Sequence, residues 1–277
     1  MDRKNLTRIL AGIMAGVLIL SLVLGLVGCG KKEEPAAAEG DLLSRIQAAG
    51  TIVVAMEGTW APWTYHDETD ALVGYDVEVA EKIAEKLGVT ATFVEGEWDG
   101  LLAGLDGGRY DIMVNGVGIT EERQQSYDFS TPYAFNRTAV IVRGDYDEIA
   151  SMEDLNGKKT ANTISSTYAE EAESFGATVT GVDDLNQTIE LLLSGRIDAT
   201  LNAEVVFNDY RKAHPEANIK IATFSDNVEQ VAIPLRKGED TATLLAAIDK
   251  ALAELSAEGV LTALSEKYFG IDISQAN

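Results

Sequence analysis

The sequence predicts an α/β fold built from two lobes of similar size. From Asp41 onward, strand-like apolar runs alternate with amphipathic helical segments, a pattern typical of crossover connections and a largely parallel sheet. The alternation occurs in two series, and the second begins near Thr138. Roughly 250 residues follow the only cysteine, Cys29, and this length is enough for two lobes with their own cores. A ligand is therefore expected in the crevice between the lobes.

The first series predicts three strands and two helices. The run Thr51–Met56 is rich in β-branched residues, whereas Val77, Ala80 and Ile83 repeat at helical spacing before Gly88 ends the segment. In chain order, we predict a strand over 51–56, a helix over 76–87, a strand over 92–94, a short helix around 101–105 and a strand over 111–114.

The second series continues in the same way. Gly176 and Gly195 are expected to end two helices, and Asp183 is expected to cap the start of the second. Two final helices carry apolar stripes that Gly259 separates. In chain order, we predict strands near 138–142 and 159–162, a helix over 167–175, a strand over 177–182, a helix over 185–193, a strand over 197–201, a helix around 205–210, a strand near 219–222, an apolar run over 231–235 and helices over 244–255 and 261–268.

The N-terminus predicts export. Basic residues precede an uncharged apolar run over residues 9–27, which is the layout of a secretory signal peptide. The run is also long enough to span a bilayer as a helix, so a permanent anchor is the alternative. The ending Leu26-Val27-Gly28-Cys29 resembles the bacterial lipobox, in which the chain is cut before a lipidated cysteine. We predict a lipoprotein signal peptide over residues 1–28, then lipidated Cys29 and a flexible tether over residues 29–40.

The composition limits the possible partners. The formal net charge at pH 7 is −23, and such an acidic surface repels phosphate backbones, so no nucleic acid is expected as a partner. The only two histidines, His66 and His214, are far apart and have no cysteine beside them. This spacing is not that of a zinc site, and no metal or cofactor is predicted.

The segment Asn115-Gly116-Val117-Gly118 follows a buried-looking strand, and Arg123 comes shortly after it. Because glycine has no side chain, such a segment at the carboxyl end of a strand lets a ligand approach the backbone closely. Arg123 is then placed to bind a carboxylate through two parallel hydrogen bonds. The alternative is that Thr120 and Glu121 simply begin a helix, with Arg123 exposed and paired to an acid.

Further candidates lie near other predicted strand ends, where loops face a crevice. Trp60 and Trp98 can line a side-chain pocket there, although at least one of the three tryptophans, which include Trp63, is expected in the core. Ser166 and Thr167 precede a helix, where a hydroxyl is either an ordinary N-cap or part of a carboxylate site.

The sequence offers little for catalysis. The Gly116 segment lacks the third glycine of a dinucleotide fingerprint, and neither a phosphate-loop nor a serine-elbow motif occurs. Acidic pairs such as Glu121 and Glu122 fit solvated helix starts better than an acid and base pair. We therefore predict that the protein is not an enzyme, although nothing in the sequence forbids catalysis.

Six motifs carry a resemblance to a known family. They are Gly74-Tyr75-Asp76-Val77-Glu78, Trp98-Asp99-Gly100-Leu101, Ile119-Thr120-Glu121-Glu122-Arg123, Tyr127-Asp128-Phe129-Ser130-Thr131-Pro132-Tyr133, Asp154-Leu155-Asn156-Gly157-Lys158 and Glu266-Lys267-Tyr268-Phe269-Gly270. In this order and spacing, the chain from about Leu42 to Ile271 resembles the extracellular solute-binding proteins for polar amino acids that serve ABC importers. Two segments are most similar to the cystine and cysteine branch of this family. One is the fourth motif together with Arg137-Thr138, and the other is Asp198-Ala199-Thr200-Leu201-Asn202.

The resemblance implies a type II periplasmic-binding-protein-like fold, with two α/β lobes joined by two hinge segments near residues 134–138 and 229–232. Lobe 1 would then contain residues 41–137 and 230–277, and lobe 2 residues 138–229. In such proteins, the ligand lies in the cleft and closes the lobes around itself.

The resemblance also implies roles for individual residues. Arg123 would bind the α-carboxylate, with help from the backbone N–H groups of Gly118 and Thr167 and the hydroxyl of Ser166. The carbonyl of Gly116 would accept from the α-ammonium. Trp60 and Trp98 would line the side-chain pocket, and Glu57 would face the distal end of the ligand. The predicted ligand-binding residues are Glu57, Trp60, Trp98, Asn115, Gly116, Gly118, Arg123, Ser166, Thr167, Asn202 and Glu204.

Two residues depart from the family pattern around the α-ammonium. Gly118 stands where relatives often have a threonine, and Ala203 where many have an aspartate. Without an acid there, a buried ammonium loses a charge-assisted hydrogen bond of about 1.5–3 kcal/mol. Either Glu204 or Glu57 supplies the carboxylate, or the ligand has no free α-amine.

These observations predict a lipid-anchored, monomeric receptor on the extracellular or periplasmic face of the cell membrane. It would capture an amino acid, with cystine as the first candidate, and deliver it to a permease and ATPase complex of an ABC importer. One alternative is a cyclohexadienyl-dehydratase-like enzyme on the same fold, with Glu57 or Glu204 as its acid or base. Another is a sensory lipoprotein that binds ligand without feeding a transporter.

Overall fold

The computed structural model describes residues 40–276. The predicted signal peptide, Cys29 and residues 29–39 of the predicted tether lie outside this range. Within residues 40–276, no helix combines the length and the apolarity that crossing a bilayer requires.

Lobe 1 is built on a parallel three-stranded sheet. Its central strand is β1 (Thr51–Met56), which lies between β5 (Thr90–Glu95) and β6 (Ile112–Met113). Asp41 caps the first helix by accepting a hydrogen bond from the backbone N–H of Ser44. The helices of this part are α1 (Leu42–Ala49), α2 (Tyr75–Leu87), α3 (Trp98–Asp106) and α4 (Glu121–Ser126). The predicted order of strands and helices is confirmed here.

A small antiparallel sheet between β1 and α2 was not predicted from the sequence. It consists of β2 (Thr59–Trp60), β3 (Thr64–His66) and β4 (Leu72–Val73). Strands of two or three residues are too short to show an alternating pattern. This sheet fixes the loop after β1, which carries Trp60 and Trp63, and so shapes one wall of the cleft.

Lobe 2 contains a five-stranded mixed sheet, so the prediction of a largely parallel sheet is wrong for this lobe. Its strands are β8 (Ala134–Arg143), β9 (Lys159–Asn162), β10 (Thr178–Gly181), β11 (Ala199–Ala203) and β12 (Ile219–Val231). The order across the sheet is β10-β9-β11-β8-β12. β9 pairs in parallel with β10 and β11, whereas β8 runs antiparallel to β11 and β12. β8 is reversed because it carries the chain into lobe 2 from the connection between the lobes.

Three helices of lobe 2 start close to the predicted positions, namely α5 (Thr167–Ser174), α6 (Leu185–Leu193) and α7 (Glu204–Ala213). A short 3-10 helix (Met152–Leu155) was not predicted. The predicted cap at Asp183 is wrong by one residue. Asp184 caps α6 instead and accepts from the backbone N–H of Gln187 at 2.9 Å. Because the helix begins at Leu185, only the carboxylate of Asp184 reaches the free N–H groups of the first turn.

Two extended segments connect the lobes side by side. The first residues of β8 pair with the last residues of β12, with Ala134 opposite Val231 and Arg137 opposite Val228. The register of this ladder shifts between Phe224 and Val228. These are the segments in which the sequence resemblance places the hinge.

After β12 the chain returns to lobe 1. There, β13 (Pro234–Arg236) pairs with β7 (Tyr127–Phe129), and the helices α8 (Glu239–Ala257) and α9 (Val260–Phe269) pack against α2. Leu244, Ile248 and Leu252 lie on the buried face of α8, as their helical spacing predicts. The final helices therefore complete the core of lobe 1.

Candidate functional site

A pocket between the lobes contains most of the predicted site residues. Eight of the eleven line it, namely Glu57, Trp60, Trp98, Gly116, Arg123, Ser166, Thr167 and Asn202. Asn115 and Gly118 lie directly behind its wall, where Asn115 hydrogen-bonds Glu57 and the carbonyl of Gly118 accepts from Arg123. Glu204 is not part of the pocket.

Arg123 is a buried cation that faces this pocket. Thr120 caps α4, as the alternative interpretation predicted, but the Arg123 side chain is only 6% exposed rather than solvated. Its guanidinium donates to the carbonyls of Gly118 at 3.0 Å and Ser165 at 2.9 Å and lies 5.2 Å from the Trp98 ring. No carboxylate in residues 40–276 forms an ion pair with it. Burial lowers the pKa of Arg123, and an anionic ligand group would offset that cost.

The Gly116 backbone is held in a fixed position by a buried carboxylate. Asp76 is fully buried and accepts from the backbone N–H of Gly116 at 2.6 Å and from the hydroxyl of Tyr133 at 2.8 Å. Burial raises the pKa of Asp76 to about 7, despite these hydrogen bonds. Gly116 has φ +56°, and a Cβ there would collide with the Trp60 ring. Asp76 is thus a supporting residue that sequence analysis missed, since its position at the start of α2 suggested only a helix terminus.

Glu57 and Asn115 hold each other in place at the end of β1. The Asn115 amide donates to Glu57 Oε2 at 2.7 Å, and the Asn115 side-chain oxygen accepts from the Glu57 backbone N–H at 2.7 Å. Burial, together with the negative charges of Asp184 and Asp99, raises the pKa of Glu57 to about 7. The Glu57 carboxyl therefore faces the pocket in an environment that disfavours its charge unless a cation arrives.

The three tryptophans have different roles. Trp60 and Trp98 line the pocket, whereas Trp63 is fully buried and belongs to the core. Trp60 stacks on Trp63 with ring centroids 5.4 Å apart and an interplanar angle of 10°. The indole N–H of Trp98 has no hydrogen-bond partner among the described residues. The pocket thus has two aromatic walls.

Lobe 2 contributes the start of α5. Ser166 is its N-cap, accepting from the backbone N–H of Ala169 at 3.2 Å while donating to the carbonyl of Thr163 at 2.6 Å. The N-terminal dipole of such a helix favours negative charge near it. Because Arg123 also reaches Ser165 just before this helix, the cation and the helix start face the same part of the pocket.

Glu229 is a second residue that sequence analysis missed. It lies on β12 opposite Asn136, and its carboxylate accepts from the hydroxyl of Thr167 at 2.7 Å and the amide of Asn136 at 3.3 Å. Burial raises its pKa. A Cβ on Gly118 would collide with this carboxylate, so the absence of a side chain at Gly118 makes room for Glu229. Only the packing of β12, which connects the lobes, brings Glu229 against Gly118.

Glu204 does not supply a carboxylate to the pocket, contrary to one of the sequence-based alternatives. It begins α7 and pairs with Arg137, whose Nη2 lies 2.8 Å from Glu204 Oε2. Both residues line a different surface cavity. The end of β11 turns the chain away from the cleft between Asn202, which lines the pocket, and Glu204. The prediction that Glu204 lies in the pocket, which relied on its closeness to Asn202 in the sequence, is therefore wrong.

With this geometry established, comparison with known proteins shows the family. The sequence model of the bacterial extracellular solute-binding proteins, family 3, matches residues 52–271. The chain belongs to this family. It is 35% identical over 268 residues to the L-cystine-binding protein TcyA of Bacillus subtilis, covering 95% of this chain and 98% of that protein. The chain therefore shares the type II periplasmic fold of amino-acid-binding proteins.

Two solved structures show similarity over the whole domain. An ancestral arginine-binding protein bound to arginine is 37% identical, with a TM-score of 0.74, covering 80% of this chain and 99% of that one. The L-cystine solute receptor of Neisseria gonorrhoeae, in an unliganded open conformation, is 42% identical but has a TM-score of 0.59, covering 86% of this chain and 100% of that one.

The lobes of this solute-binding protein are close together in the structure. The open Neisseria gonorrhoeae receptor is more similar to this chain in sequence than the arginine-bound protein, but it has the lower TM-score. Hydrogen bonds cross the cleft, since Arg123 donates to Ser165 and the Ser165 hydroxyl donates to Asp99 at 2.5 Å. The free volume of the pocket is about 50 Å³, room for about four water-sized groups at roughly 10–15 Å³ each. The lobes must therefore separate before an amino acid can enter.

Proposed function

We propose that this protein binds a free amino acid between its lobes through the α-carboxylate and delivers it to the permease of an ABC importer. The observation that carries the proposal is Arg123, a buried guanidinium in the cleft without a carboxylate partner among the described residues. Charge-assisted, bidentate hydrogen bonds from arginine suit a carboxylate. The start of α5 adds a second favourable electrostatic contribution.

Cystine is the first candidate ligand in this proposal. The support comes from relatives, since TcyA of Bacillus subtilis and the Neisseria gonorrhoeae receptor are named for L-cystine. Trp60 and Trp98 provide the aromatic walls against which a disulfide or aliphatic side chain would pack. A closed complex presents both lobes to the permease in one fixed arrangement, whereas the open protein does not.

A thermal-shift screen across the amino acids tests this function. A ligand at 100 times its Kd stabilises the folded state by about 2.7 kcal/mol, so a true ligand raises the unfolding temperature by several degrees. We expect at least one α-amino acid to do so, and the corresponding amine without a carboxylate to do nothing. If no amino acid shifts the transition, the proposal is wrong. If the protein instead converts a cyclic diene acid, the enzyme alternative is correct.

We also propose that Cys29 anchors the protein to the membrane through a lipid. The sequence Leu26-Val27-Gly28-Cys29 supports this, together with the polar segment that follows it. Because the cut is made before a lipidated cysteine, the Cys29→Ser variant is expected to lose incorporation of a labelled fatty acid and to keep its leader, which immunoblotting detects as a larger protein. If the unaltered protein carries no fatty-acid label, lipid anchoring is contradicted and an uncleaved apolar helix is favoured.

A further inference from the structure

Two opposite charges lie against Gly118 in the wall of the cleft. The Arg123 guanidinium donates to the carbonyl of Gly118 at 3.0 Å, and the Glu229 carboxylate fills the space that a side chain at Gly118 would occupy. Within residues 40–276, the two groups form no ion pair with each other or with any other side chain. A buried cation and an acid therefore meet at one residue of the cleft without neutralising each other.

Backbone hydrogen bonds fix the Glu229 carboxylate at this place. Gly118 forms an antiparallel bridge with Val231, and the backbone N–H of Ile119 donates to the carbonyl of Gln230 at 2.9 Å. Glu229 directly precedes this paired segment of β12. Its position beside Gly118 is therefore set by backbone pairing between the connecting strand and lobe 1, rather than by a side chain alone.

The Glu229 carboxylate can accept further hydrogen bonds. In the described part of the chain, its donors are the hydroxyl of Thr167 at 2.7 Å and the amide of Asn136 at 3.3 Å, and both are neutral. An ionised carboxylate can accept about four hydrogen bonds. Thr167 lines the ligand pocket, so the carboxylate is bonded directly to the pocket wall. Burial raises the pKa of Glu229, and a cation placed against it would offset that cost.

Two other acids were candidates for this role, and the structure favours neither. Glu204 pairs with Arg137 outside the pocket. Glu57 lines the pocket, but its hydrogen-bond partner is Asn115 at the end of β1. Glu229 is the acid that packs on Gly118, the residue to which the Arg123 guanidinium is also bonded.

We infer that Glu229 binds the α-ammonium of the ligand while Arg123 binds its carboxylate, so that the zwitterion lies against Gly118. This inference rests on the proposed function, because it needs an α-amino acid in the cleft. Such a molecule carries its two opposite charges on one carbon, and Arg123 and Glu229 present the complementary charges at one residue. The residue that recognises the ammonium then belongs to the strand that connects the lobes.

The arrangement also explains the glycine at position 118. Any side chain there would collide with the Glu229 carboxylate. A hydroxyl at this position could offer an ammonium one neutral acceptor, whereas the carboxylate in the same space offers a charged one. Hydrogen bonds to charged groups contribute about 1.5–3 kcal/mol, against about 0.5–1.5 kcal/mol for neutral pairs. Gly118 and Glu229 therefore act together as one recognition unit.

The test compares an amino acid with the analogue that lacks its ammonium. The pairs are L-cystine with dithiodipropionate and L-arginine with δ-guanidinovalerate, and any other amino acid found in the thermal-shift screen is paired with its own desamino acid. For the unaltered protein, we expect titration calorimetry to give the amino acid a Kd roughly 10- to 150-fold lower than the desamino acid, as for one charge-assisted hydrogen bond. Equal affinity for the two would overturn the inference.

Glu229→Gln removes the charge and keeps the shape. Glutamine retains an oxygen that can accept from Thr167, so the fold is expected to be preserved, which thermal unfolding of the free variant checks. We expect the preference for the amino acid over the desamino acid to fall by about tenfold or more, while the desamino acid binds as it does to the unaltered protein. A purely structural role in the connection would instead weaken both ligands by the same factor, and that result would overturn the inference.

Two further variants locate the effect. Glu153→Gln removes an exposed carboxylate that lines the same surface cavity as Glu229, and it is expected to leave the preference unchanged. An equal decrease in Glu153→Gln and Glu229→Gln would mean that overall charge sets the preference. If the preference disappears in Glu57→Gln but persists in Glu229→Gln, Glu57 binds the ammonium and the inference is wrong.

The same measurements separate this inference from the proposed function. An amino acid that binds Glu229→Gln with its preference intact would overturn the inference and leave the amino-acid receptor unaffected. If no α-amino acid binds the unaltered protein, the proposed function falls and the inference falls with it.

Discussion

Replacing Arg123 with alanine is expected to abolish measurable amino-acid binding while the protein stays folded. Truncating one partner of a buried, hydrogen-bonded charge pair costs about 2–5 kcal/mol, which is roughly 30- to 4,000-fold in Kd. Arg123 is 6% exposed, so this substitution belongs to the buried case. In the free protein, the same substitution removes a buried charge that has no carboxylate partner among the described residues, which limits the loss of stability.

The measurement pairs calorimetry with thermal unfolding of the free protein. Arg109→Ala serves as the control, because Arg109 is exposed and lies outside the pocket. We expect Arg109→Ala to bind like the unaltered protein and Arg123→Ala to show no ligand-induced shift. Retention of binding by Arg123→Ala would show that another group holds the carboxylate.

Replacing Trp63 with alanine is expected to give the largest loss of stability among the tryptophan variants. Trp63 is fully buried and packs between Trp60, Tyr75 and Phe269, with ring centroids 5.4, 5.6 and 4.9 Å away. Truncation of a buried tryptophan costs about 3–5 kcal/mol because a cavity remains. In a domain of this size, that corresponds to a decrease of roughly 6–20 °C in the unfolding temperature.

Trp60→Ala is the matched comparison, since the two rings are stacked but only Trp60 lines the pocket. We expect Trp60→Ala to weaken ligand binding and to lower the midpoint of urea unfolding less than Trp63→Ala does. The assignment of the two rings would be wrong if Trp60→Ala were the less stable variant.

The order and approximate positions of the main elements could be predicted from the sequence because their signals are local. The helical spacing of Val77, Ala80 and Ile83 and the stop at Gly88 were enough for α2. β12 shows the limit of this approach, since the predicted strand ends near Ala222 while the observed strand continues to Val231. Its second half carries exposed polar residues such as Asn227 and Gln230. That half is extended because it pairs with β8, which is a contact between distant parts of the chain.

The residues of the candidate site likewise fall into two groups, those that the sequence predicted and those that it did not. Arg123, the glycines near it and Ser166 carry short-range signals, so their placement in or beside the cleft could be anticipated. Asp76 and Glu229 could not, because each contacts the site through residues about 40 to 110 positions away in sequence: Asp76 binds Gly116, and Glu229 packs against Gly118. The local sequence does not indicate that Asp76 is buried or that Glu229 is half-buried.

The sequence by itself determined the family, the alternation of strands and helices and the arginine that faces the cleft, because short motifs and periodic patterns encode them. Only the tertiary structure decided where the acidic side chains lie relative to the cleft. It turned Glu204 away to Arg137, placed Glu229 against Gly118 and gathered Glu57, Glu95, Glu97, Asp183 and Asp184 around one cavity. The physical reason is that carboxylates on separate loops create a common potential only when folding brings those loops together.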